Sequence, residues 1–150
     1  MFIRVKNHKN NNYAYLVKNK RFKTSSNPKQ MIVKYLGKVI KPKRVSKIKF
    51  KEYINQDIKE YLEKTEINNI FLDLIKLELL NHDIKEINTK NIIIELNEGF
   101  LCNYTLQQLF NLKLPKSDKE ASLILANTIL SAGIKIQSSL FIKIFKKLKY

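Results

Sequence analysis

The sequence has one cysteine, Cys102, and only three glycines and three prolines among its 150 residues. A single cysteine forms no internal disulfide and supplies no four-cysteine zinc site, so it excludes both a disulfide scaffold and a zinc ribbon. Few glycines and prolines, together with 44% hydrophobic residues, exclude a collagenous, low-complexity or wholly disordered chain. We therefore expect an intracellular protein that folds around a hydrophobic core.

Long hydrophobic runs are also missing from the sequence. No uncharged apolar stretch approaches the roughly 18 residues that a membrane helix requires. The opening segment, MFIRVKNHKN, lacks the apolar run of a signal peptide. The sequence thus predicts a cytoplasmic protein without a membrane partner.

Acidic residues are absent from the first third of the chain. Residues 1–51 contain 16 lysines and arginines and no aspartate or glutamate, whereas residues 52–150 contain 13 residues of each sign. The whole formal net charge of +16 therefore comes from the first block. A charge that only kept the protein soluble would be mixed with the opposite sign, so this block predicts a polyanionic partner, most often nucleic acid. A disordered basic tail is the alternative, but strand-like alternation in the same block argues against it.

Hydrophobic patterning predicts an α+β fold in three parts. A basic β-meander occupies residues 1–39, an extended basic connector with Pro42 occupies residues 40–49, and a mainly helical lobe occupies residues 50–150. The meander has three antiparallel strands, separated by the turn-like stretches NHKNNN and TSSNPK. These strands are predicted over residues 2–6, 13–18 and 31–39. One face of the sheet must pack on the rest of the chain, because a small isolated sheet is marginally stable.

The helical lobe is predicted from apolar spacing and from capping residues. Helical periodicity runs from Phe50 to Leu62, and a second apolar helix follows Thr65. A short β-branched run predicts one further strand over residues 91–96. The other predicted boundaries are capping boxes at Thr105 with Gln108 and at Ser117 with Glu120, a helix end at Gly133, and a cap for the last helix at Ser138 or Ser139.

Catalytic signatures are few, and we expect no catalytic residue, metal site or cofactor. His8 and His82 lack a metal-ligand spacing, and Cys102 lacks a nucleophile signature and is expected to be a small buried hydrophobe. Gly37, Gly99 and Gly133 are isolated, which excludes a phosphate-cradling loop.

One carboxylate cluster keeps an enzymatic alternative open. A metal-dependent nuclease needs several carboxylates to hold its ions. The near neighbours Asp57, Glu60, Glu63 and Glu66 could supply them, but their helical spacing between lysines favours a solvated helix face with local ion pairs.

The basic block supplies the candidate binding residues. Lysines and arginines can neutralise phosphates, and aromatic faces can stack on unpaired bases. The predicted phosphate contacts are Arg4, Lys6, Lys18, Lys20, Arg21, Lys23, Lys34, Lys38, Lys43, Arg44 and Lys47. Tyr13, Tyr15 and Tyr35 are candidates for stacking, although we favour packing of their rings against the helices. The cations of residues 41–51 form either an arm along a phosphate backbone or a solvated linker.

The last two predicted helices offer a second mode of DNA contact. They loosely resemble a helix-turn-helix whose lysine-bearing second helix would enter a major groove. The link over residues 134–137 is longer than the usual tight turn, and Phe141 and Phe145 have the spacing of core anchors. The pattern therefore favours a structural helix pair.

A short motif in the β-meander carries a family resemblance. The pattern YxYLV … KYLG combines Tyr13, Tyr15, Leu16 and Val17 with residues 34–37. On these residues the segment 2–39 resembles the N-terminal segment of certain DDE-class insertion-sequence transposases and of small uncharacterised archaeal proteins. The resemblance implies a small β module attached to nucleic-acid-handling proteins. It does not imply transposition, because the chain is too short for that catalytic domain and has no matching acidic triad.

The function predicted from the sequence is non-enzymatic binding of nucleic acid through its backbone phosphates. The resemblance slightly favours DNA. A ribosome-associated or structured-RNA-binding protein is one alternative, since small basic proteins of this kind are typical there. A protein adaptor anchored by its basic sheet is another, and an exposed apolar patch within residues 66–80 or 123–145 would support it.

Overall fold

A computed structural model describes residues 1–85 and 92–150, which form one five-stranded sheet and six α-helices. The strands are β1 (Phe2–His8), β2 (Asn11–Lys20), β3 (Lys29–Ile40), β4 (Ile92–Leu96) and β5 (Gly99–Leu101). The helices are α1 (Phe50–Ile54), α2 (Ile58–Lys64), α3 (Ile67–Asn81), α4 (Asn103–Phe110), α5 (Asp118–Ser131) and α6 (Ser138–Lys149). Of the helices formed by these residues, none is both long and apolar enough to cross a membrane.

The sheet contains the predicted meander and two strands more. Strands β1, β2 and β3 pair antiparallel in chain order, which confirms the meander. The prediction of a three-stranded sheet is wrong, because β4 pairs in parallel with β3 and β5 pairs antiparallel with β4. A parallel pair requires a long crossover, which helices α1 to α3 supply here. The strand predicted over residues 91–96 is β4, and residue 91 lies outside the described residues.

The first helix of the lobe is interrupted where a continuous one was predicted. Helix α1 ends at Ile54, and its C-cap residue Asn55 has a left-handed backbone with φ of 51°. Asparagine tolerates this conformation better than most residues. Asp57 then caps α2, since its carboxylate accepts a hydrogen bond from the Glu60 backbone amide at 3.2 Å. The predicted second helix after Thr65 is confirmed as α3.

Two of the later helix boundaries differ from the predicted caps. Ser117 caps α5 as predicted, and α5 ends two residues before Gly133. Helix α4 begins earlier than predicted, with Cys102 at the N-cap. The hydroxyl of Thr105, in the first turn of α4, accepts a hydrogen bond from the Cys102 backbone amide at 3.2 Å. Helix α6 follows Gln137, so neither Ser138 nor Ser139 is its N-cap.

Two hydrophobic clusters lie on opposite faces of the sheet. Ile94 packs with the helices in the larger cluster, whereas its neighbour Ile93 packs with Ala14, Val39 and Cys102 in the smaller one. Successive residues of a strand point to opposite faces, so β4 belongs to both clusters. Cys102 is buried, which confirms the expectation of a small buried hydrophobe.

Gly99 marks a close approach between β5 and the end of α5. A Cβ atom at this position would overlap the Leu130 carbonyl oxygen and would lie 2.6 Å from the Gly133 backbone nitrogen. Only glycine fits this contact, which joins the β4–β5 hairpin to the helical lobe.

Candidate nucleic-acid interface

Six side chains of the meander share one face of the sheet, which we call the tyrosine face. Tyr13 lies between Lys6 and Lys38 on the neighbouring strands, and Tyr15 lies between Arg4 and Tyr35. Directly paired residues of antiparallel strands point to the same side of a sheet. The tyrosine face therefore consists of Arg4, Lys6, Tyr13, Tyr15, Tyr35 and Lys38.

A β-bulge places Lys38 on this face. Tyr35 and Lys38 are three residues apart, so strict alternation would point them to opposite sides. The pairing shifts between Ala14 and Tyr15, which leaves Leu36 without a direct partner. Gly37 in the bulge has φ of 148°, a conformation that favours glycine.

The three tyrosine rings contact one another on an open surface. The ring centroids of Tyr15 and Tyr35 are 5.3 Å apart, and those of Tyr13 and Tyr35 are 6.4 Å apart. The Lys6 ammonium lies 5.5 Å from the centroid of Tyr15, and Tyr35 is 50% exposed. The prediction that these rings pack against the helices is wrong, because none of the three is among the residues that pack in the two hydrophobic clusters with the helices.

The charges of the meander have no acidic partners among the described residues. Residues 1–40 contain ten lysines and arginines, and none of them forms an ion pair with an acid in residues 1–85 or 92–150. The Arg4 guanidinium donates a hydrogen bond to the Gln30 side chain, which is neutral and leaves the charge uncompensated. This part of the molecule therefore carries a strong positive potential.

A basic hairpin arm is formed by the ends of strands β2 and β3 that extend beyond their neighbours. The pairing of β1 with β2 stops at Val17 and that of β4 with β3 starts at Lys38, whereas β2 and β3 stay paired out to Lys20 and Lys29. We call residues 18–31 the hairpin arm. At its tip the Phe22 ring is 38% exposed, with the ammonium groups of Lys20 and Lys29 at 5.3 Å and 5.8 Å from its centroid.

The structure therefore distributes the predicted contacts over several surfaces. Arg4, Lys6 and Lys38 lie on the tyrosine face. The exposed side chains of Lys18, Lys20, Arg21 and Lys23 lie on the hairpin arm. Lys34 is paired with Leu16 and adjoins Tyr35 in sequence, so it lies on the face of the sheet opposite the tyrosines. Lys18 and Lys20 alternate with the tyrosines along β2 and point to that same opposite face. Lys29 was missing from the predicted set, although its pairing with Lys20 follows from the hairpin register.

Arg44, one of the predicted phosphate contacts, also has a role in the fold. Its guanidinium donates to the Glu78 carboxylate at 3.0 Å, and Glu78 is 3% exposed. The same carboxylate accepts hydrogen bonds from the Lys135 backbone amide at 3.0 Å and from Asn97 at 3.1 Å. A buried carboxylate needs a cationic partner, and Arg44 is the cation that compensates the charge of Glu78.

The connector is anchored to the helical lobe near its end. Its Ser46 hydroxyl and its Ile48 backbone amide both donate to the Asn81 side-chain oxygen at 2.9 Å, which docks the connector on the end of α3. Lys43 and Lys47 remain exposed. Lys47 lines a groove of about 720 Å³ whose other cations are Arg44, Lys49, Lys51, Lys135 and Lys143.

Residues with potential catalytic chemistry have structural positions. The buried His82 ring contacts the Glu78 backbone oxygen at 2.7 Å through Nδ1, and His8 is exposed at the end of β1. The Tyr61 hydroxyl donates to the Asp73 carboxylate; burial and this hydrogen bond raise the pKa of Tyr61. Histidine, cysteine, aspartate and glutamate do not gather in groups of three or more that could hold a metal ion, as far as residues 1–85 and 92–150 show.

The predicted helix pair at the C-terminal end is part of the core. Phe141 and Phe145 of α6 pack against the larger hydrophobic cluster, as their spacing predicted. Their rings are stacked with centroids 6.5 Å apart.

Comparison with known proteins assigns no family to the chain. No protein-family model matches it, and no curated protein or solved structure is significantly similar to it. The transposase-like resemblance of residues 2–39 stays a prediction.

Proposed function

We propose that this protein binds nucleic acid without catalysing a reaction, by holding backbone phosphates on the tyrosine face and the hairpin arm. One observation carries the proposal. The ten cations of residues 1–40 have no ion-pair partner among the described acids, and they lie on one continuous three-stranded meander. Like charges brought together in this way repel each other, and a polyanion removes that repulsion while it releases its own counterions.

The dimensions of the meander suit an extended polyanion. From Lys29 to Lys38, strand β3 spans about 30 Å at the usual rise per residue. That length covers roughly nine base-pair steps of a duplex. The proposed contacts along it are Arg4, Lys6, Lys18, Lys20, Arg21, Lys23, Lys29 and Lys38. Contacts of this type position a nucleic acid and do not read its sequence.

The salt dependence of affinity tests this proposal. If most of these cations bind phosphates, a plot of log K against log salt concentration should have a slope between roughly −5 and −7. The measurement is fluorescence anisotropy of a labelled duplex oligonucleotide over a range of salt concentrations. A slope shallower than about −2 would mean only one or two phosphate contacts, and it would contradict the proposal.

DNA remains our prediction for the type of nucleic acid, because the resemblance of the meander favours it. Matched DNA and RNA oligonucleotides in the same titration distinguish the two. A clear preference for RNA would favour the ribosome- or RNA-associated alternative.

A second candidate function is protein contact through the helical lobe. Leu123, Ile124 and Leu130 of α5 are 61%, 40% and 40% exposed, and Ile142 of α6 is 51% exposed. Leu123 and Leu130 are two helical turns apart and therefore share one face of α5, and an exposed apolar face is typical of a protein-binding surface. This surface would support an adaptor in which the basic meander anchors the assembly to nucleic acid.

A further inference from the structure

Resting on the proposed function, we infer that the tyrosine face binds unpaired bases, so that the preferred ligand is a single-stranded nucleic acid. The carrying observation is the juxtaposition of three contacting rings with three uncompensated cations on an open sheet face. Cations alone would serve a duplex and a single strand alike. The rings favour the single strand, because only unpaired bases can stack on them.

The rings are placed where bases can reach them. Tyr35 is 50% exposed, Tyr13 and Tyr15 are partly exposed, and none of the three belongs to either hydrophobic cluster. A tyrosine on a sheet is normally buried against a helix or a second sheet, because its ring is a large apolar surface. Three such rings together on the open face form a surface suited to a flat apolar partner.

A base has the shape and chemistry that this surface requires. The rings of Tyr15 and Tyr35 are tilted by 56°, and those of Tyr13 and Tyr35 by 44°, so each ring presents its own face or edge. Stacking of a base on one aromatic ring raises affinity by roughly fivefold or more. In a duplex the base faces are already stacked on each other, so only unpaired bases can make this contact.

The cations lie where the phosphates of such a strand would run. Tyr13 has Lys6 on one side and Lys38 on the other, each about 4.8 Å away at the usual strand spacing. Tyr15 has Arg4 beside it. A single strand that crosses the three β-strands would stack its bases on the rings. Its phosphates would then lie beside the cations. The Lys6 ammonium, which now lies over the Tyr15 ring, would move to a phosphate.

The test compares a single strand with a duplex on ring-deleted protein. The variant Tyr13→Val, Tyr15→Val, Tyr35→Val removes the rings and keeps residues with a strong strand preference. The probes are a labelled oligothymidylate of about 12 nucleotides and a duplex of about 12 base pairs. We expect the valine variant to lose at least about a hundredfold in affinity for the single strand, and less than about threefold for the duplex.

Two control variants separate stacking from folding. Replacement of the same three residues by phenylalanine keeps the rings, so single-strand affinity should stay within about threefold of the unmodified protein. Tyr150→Val removes a tyrosine that is 85% exposed at the opposite end of the sequence, and it should leave both affinities unchanged. Circular dichroism of each variant checks the sheet.

The outcomes distinguish this inference from the proposed function. Equal losses on both probes, or tighter binding of the duplex by the unmodified protein, would overturn the preference for single strands and leave nucleic-acid binding in place. Failure of the unmodified protein to bind either probe near roughly 0.1 M salt would overturn both. Binding of polyglutamate in place of the oligonucleotides would assign the tyrosine face to an acidic protein and overturn both as well.

Discussion

Replacing Arg4, Lys6 and Lys38 together with glutamate should weaken binding of a single-stranded oligonucleotide by about 500-fold near 0.1 M salt. Each phosphate contact with a single strand contributes roughly a factor of five at this salt concentration through counterion release, and the new carboxylates add repulsion. All three residues are exposed strand residues on the tyrosine face, so the fold should survive the change. Fluorescence anisotropy measures the affinity, and thermal unfolding checks the variant.

A matched control tests whether position or overall charge is responsible. Lys113, Lys116 and Lys119 are exposed residues of the helical lobe, and their replacement by glutamate changes the net charge by the same amount. We expect this control to weaken binding by less than about tenfold, since these charges act only at long range and are screened. If both variants lose affinity equally, the tyrosine face has no special role.

The second large effect concerns stability. We expect Glu78→Ala to lower the free energy of unfolding by about 3 kcal/mol. The substitution leaves Arg44 without its carboxylate and removes acceptors from the Lys135 backbone amide and from Asn97. The Glu78 carboxylate is only 3% exposed, so its removal leaves these donors facing a site that solvent reaches poorly, and donors without acceptors are costly. Urea unfolding followed by circular dichroism measures the change.

An exposed glutamate provides the comparison for this prediction. Glu63 lies on α2 and is exposed, so Glu63→Ala should change the free energy of unfolding by no more than about 0.5 kcal/mol. Glu78→Gln should fall between the two, because the amide keeps an acceptor oxygen but loses the charge that pairs with Arg44. A change of less than about 1 kcal/mol for Glu78→Ala would contradict the role that we assign to this carboxylate.

Local patterns predicted the meander, but they could not predict the rest of the sheet. Alternation of side chains is a property of each strand, and it identified β1, β2 and β3. The β-branched run at Ile92–Leu96 was also identified as a strand. Its partner was not, because parallel pairing with residues 38–40 joins segments more than fifty residues apart, and no local pattern specifies it.

The interrupted first helix illustrates the limit of periodicity. Apolar residues keep the same helical spacing across α1 and α2, so the period alone predicts one helix. Asn55 and Asp57 were the local indication of a break, since one residue type tolerates a left-handed backbone and the other caps helices.

The candidate site was predictable in its charge and not in its arrangement. The absence of acids from residues 1–51 located the basic surface. Alternation placed Tyr13 and Tyr15 on one side of β2, but it did not show that the helices leave this part of the sheet uncovered. The bulge at Leu36 that adds Lys38 to the tyrosine face, and the pairing of Arg44 with Glu78 thirty-four residues away, both depend on tertiary structure.

Ultraviolet crosslinking in cells that express the full chain tests the central claim most directly. The crosslinked nucleic acid is recovered and sequenced, and the crosslinked peptides are identified by mass spectrometry. We predict nucleic acid attached to peptides within residues 1–40, with Tyr13, Tyr15 or Tyr35 as the modified residue. Recovery of no nucleic acid, or attachment only within residues 92–150, would contradict the account.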